Sequence, residues 1–183
     1  MKVDAFNQMN DIAQREAAYA EFKKLASGNS EYQKNLDFMA SSIAAKYGEQ
    51  NDEAQMKIYA AKIKGSTTKA SLYNNVAWTL SGESIDAKPI NTKLAEEISK
   101  ESLRLVAEEK ESMTQKPVYQ SKARYGNNMK FNYALYSDTY ALLAHQLGHK
   151  ADALKYQTIA VEAYDYQDGD MNTRYAAFME NEK

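Results

Sequence analysis

YSDTYALLAHQLGHKADALKYQTIAVEA, residues 136–163, divides at Gly148 into two stretches with apolar side chains at helical spacing. The stripe before the glycine is Tyr133, Tyr136, Tyr140, Leu143 and Leu147; after it come Ala153, Tyr156, Ala160 and Ala163. A glycine here suits the residue that closes one helix before the next begins. Small residues gather where two helices so joined would cross: Ala141 and Ala144 before the turn, Ala153 and Ala160 after it. The expected unit is therefore a helical hairpin whose helices approach closely.

The same periodicity extends to both ends of the chain. Ala18, Phe22 and Leu25 mark a first helix over roughly 5–26, closed by Ser27, Gly28 and Asn29. Tyr32, Leu36, Met39, Ile43 and Tyr47 mark a second, ending at Gly48. Asn51 is expected to cap a third helix with Ala54, Ile58 and Ala61 on its inner face and Gly65 after it. Leu72, Val76 and Leu80 mark a fourth, stopped by Ser81 and Gly82; Pro89 and Asn91 open a fifth with Leu94, Ile98 and Leu105. A loop is expected around 113–128, and a short last helix with Met171, Tyr175 and Phe178 follows Asp168, Gly169 and Asp170. Alternating apolar runs bounded by turns are missing, so no strand is expected. Only two prolines interrupt the chain, Pro89 and Pro117.

Small residues recur in the earlier units: Ala45, Gly48, Ala54 and Ala61 in one, Ala77, Ala95 and Ser102 in the next. Asn74, Ala77 and Trp78, followed by Asp138, Thr139, Tyr140, Ala141, Leu143, Leu147, Gly148 and Ala153, resemble the tetratricopeptide repeat. They are especially similar to helical repeats that follow a thioredoxin-like domain in some bacterial proteins. The resemblance covers roughly residues 70–165 and implies an all-α, right-handed stack of hairpins with seven or eight helices. It departs from a regular array: Ala61, Ser102 and Ala160 are 41 and 58 residues apart, and Gln157 takes a position usually aromatic. The expected organisation is a single domain over 1–183. Capping helices at 1–30 and 167–183 flank hairpins at 31–65, 66–110 and 130–166, and a basic loop or insertion occupies 111–129.

Composition narrows function. The chain of 183 residues carries 14 tyrosines against five phenylalanines, which suits thin cores that keep a polar edge wet. Without cysteine, this chain has no thiolate chemistry, disulfide or Cys-x-x-Cys, so the redox role implied by the thioredoxin company finds no residues here. A net charge of −2 gives no whole-chain attraction to nucleic acid, and no nucleic-acid partner is expected. The charge is uneven, with about −4 carried by residues 134–183. The start has no apolar core of signal-peptide length and no window spans a membrane, so a soluble chain is expected, with its compartment and oligomeric state open. No phosphate loop, nucleophile elbow, calcium loop or H-E-x-x-H occurs, and no cofactor is expected. His145 and His149 have metal-ligand spacing, but Gly148 between them ends the helix and only Asp152 offers a third ligand; surface histidines are expected and no metal.

The sequence is thus read as a non-catalytic module for a protein or peptide partner, the alternative being a structural spacer or oligomerisation arm. The resemblance implies a groove lined by the first helix of each hairpin, which places Asn74, Trp78, Asp138, Leu142 and His145 along it. Trp78, the sole tryptophan, is either the anchor of that groove or a core residue beside Ala77. Asp138, mid-helix, either meets the ligand or braces the neighbouring hairpin. A second candidate is the acid-free segment 116–133, where Lys122, Arg124, Tyr125 and Lys130 mix cations with aromatics and suit an acidic partner.

Overall fold

In the computed structural model, residues 3–26 and 29–180 are described, with side chains from residue 5 onward. The helices are α1 (Val3–Asn7), α2 (Ile12–Leu25), α3 (Gln33–Glu49), α4 (Glu53–Ala60), α5 (Ser66–Ser81), α6 (Thr92–Ser112), α7 (Lys122–Gln146), α8 (Lys150–Ala163) and α9 (Gly169–Glu180). A single turn of 3₁₀ helix, Ser30–Tyr32, leads into α3. No strand occurs among the described residues, and no described helix is long and apolar enough to cross a membrane.

Local chemistry sets the boundaries. The side chains of Asp11, Asp52, Asn91 and Ser121 each accept a hydrogen bond from a backbone N–H in the first turn of the helix they open. Gly82 and Gly148, with φ of +80° and +78°, supply the left-handed residues after α5 and α7. Both prolines fall between helices. Gly65 precedes α5 without a side-chain cap of its own; the carboxylate of buried Asp37, from α3, accepts from the N–H groups of Lys64 and Gly65 instead.

From α2 onward consecutive helices pack against one another except α4 and α5, which are joined through α3, packed on both. Alternate helices also meet: α3 with α5, α5 with α7, and α7 with α9. One buried cluster runs from Phe6 and Tyr19 through Ile43 and Met56 to Leu80 and Ile98. Further clusters fill the junctions of α6 with α7, and of α7 and α8 with α9. The small residues do what their spacing predicts in two of the three units: Ala77, Ala95, Ser102, Ala141, Ala144, Ala153 and Ala160 are all buried.

Several sequence expectations are corrected. The first helix is broken, because Asp11 caps a new helix at Ile12; of its expected closing residues, Ser27 and Gly28 lie outside the described residues. The second helix runs past Gly48 to Glu49, and Gly48 is buried against Val76. Asn51 is no cap: it takes a left-handed φ of 58°, and Asp52 caps α4. The inner face of α4 is Met56, Tyr59 and Ala60, while Ala54, Ile58 and Ala61 face solvent. Tyr59 decides this rotation. Its ring stacks on Tyr47 and meets Tyr19 edge-on, both at 6.0 Å, which buries far more surface than an alanine. Finally, α7 begins at Lys122, so much of the expected 113–128 loop is helix.

Candidate functional site

A cleft of about 700 Å³ opens where α5, α7 and α9 converge. Asn74, Asn75, Trp78 and Thr79 form the α5 wall, one helical face because they sit one, four and five residues apart. Leu135, Asp138 and Thr139 form the α7 wall, and Met171, Thr173 and Arg174 face them from α9. The turn after α5 adds Glu83 and Asp86 at the rim, and the start of α9 adds Asp168 and Asp170.

A polar network holds the walls together. The Arg174 guanidinium donates through Nε to Asp138 Oδ1 at 2.9 Å and through Nη2 to Oδ2 at 2.7 Å. The two side chains are only 12% and 6% exposed, so this is a desolvated, two-pronged ion pair rather than a surface one. Gln157 of α8 donates to Asp138 Oδ1 at 2.7 Å and to the Met171 carbonyl at 3.0 Å. The departure at position 157 from the usual aromatic thereby has a physical account: the amide ties α7 and α9 to α8 at a place where an aromatic ring would leave the buried carboxylate short of a donor. Arg174 also lies over the Trp78 ring, 5.3 Å from its centroid, so four helices are linked through Trp78, Arg174, Asp138 and Gln157.

Three residues expected in the groove line this cleft: Asn74, Trp78 and Asp138. Trp78 is half-buried and belongs to none of the core clusters. Asp138 braces the neighbouring helices. Asn74 is buried, and its Oδ1 has no hydrogen-bond partner among the described residues. Two placements are corrected. Leu142 is fully buried, because it falls on the face of α7 turned into the stack. His145 lies outside the cleft, its ring stacked on Phe178 at 4.6 Å. Burial lowers its pKa, and nearby Lys150 lowers it further, so the ring is neutral at pH 7. His149 is exposed, with Nδ1 4.0 Å from Glu96; no group of three or more His, Asp or Glu with the geometry of a metal site occurs among the described residues.

The basic segment does not form the expected loop surface. Lys122, Arg124, Tyr125 and Lys130 all stand on α7. At about 100° per residue, the three cations splay around the helix instead of sharing a face. Tyr125 is buried and donates to Glu109 Oε1 at 2.8 Å, so its ring belongs to the interior and not to the helix surface. Lys116 is turned inward on its own loop, with Nζ donating to the carbonyls of Pro117 and Gln120. Glu109 is the hub beneath: it also accepts from Ser66, Thr114 and the Gln115 N–H. Burial pushes its pKa up, but these hydrogen bonds outweigh burial and hold it below the usual carboxylate value. Lys130 borders a separate, smaller cleft between α6, α7 and α8.

Sequence reasoning missed Arg174, Met171 and the acidic rim. One signal pointed to Arg174: a mid-helix aspartate in an apolar stripe needs a cation, and Arg174 is the only arginine after Arg124. Compared with known proteins, the chain matches no family model, no curated protein and no solved structure.

Proposed function

We propose that this chain is a short, divergent stack of tetratricopeptide-like hairpins that binds a peptide segment of a partner protein in the cleft between α5, α7 and α9, and performs no chemistry on it. The stack is supported by the alternate-helix contacts of α3 with α5, α5 with α7 and α7 with α9, which suit hairpins whose first helices line up along one side under a capping α9. The buried small residues at two hairpin crossings support it as well. The observation that carries the binding role is the setting of Trp78. Its half-buried indole forms part of the wall of a cleft of ligand size, held by Arg174, and the same wall carries the Asn74 carboxamide, whose Oδ1 has no partner among the described residues. A rigid aromatic fixed before the ligand arrives loses little entropy on binding.

Because Trp78 is the only tryptophan, its fluorescence reports on the cleft without a label. An unbiased displayed-peptide library panned against the chain should return peptides that shift Trp78 emission. They should bind Trp78→Ala at least about tenfold more weakly, the scale of an aromatic anchor. The far-ultraviolet circular dichroism and melting of the variant show that it is folded, and Trp78→Phe should retain most of the affinity. Selected peptides that leave the Trp78 emission unchanged, or a library that yields none, overturn the proposal.

A further inference from the structure

The cleft carries an excess of negative charge. Glu83, Asp86, Asp168 and Asp170 line its rim, and none of them has an ion-pair partner among the described residues. The one lining cation, Arg174, is already engaged by both oxygens of Asp138 and lies over Trp78. It cannot receive an acidic ligand without leaving Asp138 buried and unpaired. Acidic residues alone do not make a site, but the floor supplies an independent sign of a ligand. Asn74 is 5% exposed and lines the cleft, and its carboxamide Oδ1 has no donor. A buried acceptor without a donor is costly, and the ligand is the natural source of the missing N–H.

We infer that this cleft selects a basic peptide segment, with a lysine or arginine side chain held by the carboxylates of the rim and a backbone N–H of the same segment donating to Asn74. This inference rests on the peptide-binding reading above and gives its ligand a chemical class, opposite in sign to the acidic partner expected from the basic segment at 116–133. A peptide fits better than a free amine because the two demands are separate in space and kind. The rim offers charge, while the floor offers one neutral amide among Trp78, Leu135 and Met171. A basic peptide presents a cation and a neutral amide N–H on one chain, which a simple polyamine does not. The volume of about 700 Å³ lies within the range of ligand pockets, about 300–1,000 Å³, and admits a few residues. Field lines focused between low-dielectric walls speed the encounter with a cation and make it salt-dependent.

The test titrates the full chain with peptides of equal length and no aromatic residue, one basic, one neutral and one acidic, and with spermidine, following Trp78 emission at low and physiological salt. The basic peptide should bind at least about tenfold more tightly than the neutral one at low salt, and the difference should shrink as salt rises. Asp86→Asn/Asp170→Asn should remove that advantage without shifting the melting temperature. Asn74→Ala should weaken basic and neutral peptides by similar factors while leaving the salt dependence in place. Acidic or neutral peptides binding as well as the basic one, a double variant that binds unchanged, or spermidine binding where the peptide does not would each overturn the inference. A preference for neutral or acidic peptides leaves the peptide-binding proposal standing, whereas silence of Trp78 toward every peptide defeats both.

Discussion

Gly48 of α3 lies so close to Val76 of α5 that a β-carbon built on it would come within 2.6 Å of Val76 Cγ1 and 2.8 Å of Cγ2. The glycine expected to end a helix instead sets how closely the two helices cross. Val76 is 2% exposed and β-branched, so it has little room to turn away.

Gly48→Ala should therefore destabilise the fold, although alanine is the better helix former by about 1 kcal/mol. Overpacking of a filled core typically costs about 1–3 kcal/mol, and the clash should win. Gly126 in α7 makes the opposite case. A β-carbon there would meet only Met113 Cε, at an ordinary 3.7 Å, and the residue has no positive φ. Gly126→Ala should stabilise by about 0.5–1 kcal/mol. Urea unfolding of the two variants, with Val76→Ala added to the first, checks the signs: the second change should recover part of the loss at Gly48.

The pair Asp138–Arg174 should behave as a buried unit. Arg174→Ala leaves the aspartate with Gln157 as its remaining side-chain donor, and should destabilise by about 3–5 kcal/mol. Asp138→Leu/Arg174→Met should lose clearly less than the sum of the two single changes, because neither partner is then left charged and alone. Additive single and double variants, measured by urea unfolding, would mean that the pair is effectively solvated.

How much was legible follows from where each signal sits. The hairpin crossings were readable because alanine and glycine at fixed spacing report directly on helix–helix distance. The inner face of α4 was not: Ala54 and Ala61 are too small to orient a helix, and the choice fell to Tyr59, whose partners Tyr19 and Tyr47 lie on other helices. Arg174 meets Asp138 across 36 residues of sequence, beyond any periodic pattern. The basic segment read as loop because Pro117 and Gly126 bracket it. The cap from Ser121 to the Arg124 N–H begins α7 between them, and Glu109 then draws Tyr125 inward. In the cleft, the polar residues of single helices were visible in sequence, while the excess of acid was not, since it comes from two turns far apart in the chain.

Glu109 gives the fold an acid-sensitive joint between α6, the loop after it and α7. Its folded pKa lies below the ordinary value of 4.5, so it binds protons more readily unfolded than folded. Its contribution is fully present above that value and is lost as the pH falls through the folded pKa. Urea midpoints measured from pH 6 to pH 3 should drop for the native chain and drop less for Glu109→Gln, which keeps an acceptor but no titration. Glu109→Ala, which strands the buried Tyr125 hydroxyl and the Gln115 N–H, should lose about 2–4 kcal/mol at pH 7. Equal acid slopes for the native chain and Glu109→Gln would remove Glu109 from the acid response.

His145 titrates in a higher window with the same sign. Burial against Phe178 and the charge of Lys150 depress its folded pKa below the ordinary 6.5, so the unfolded chain takes up the proton first as the pH falls. Its contribution is complete above pH 6.5 and is lost as the pH falls toward and through the folded value, where the ring must become charged beside an apolar neighbour. The imidazole carbon protons of His145 should titrate below 6.5 by nuclear magnetic resonance. Melting temperature should fall between pH 7 and pH 5.5 in the native chain, and this part of the slope should vanish in His145→Phe, which keeps an aromatic contact with Phe178 but carries no proton. A slope unchanged in that variant would place the neutral-range sensitivity elsewhere. The contact of α7 with α9 would then have to hold equally well with a charged ring at its centre.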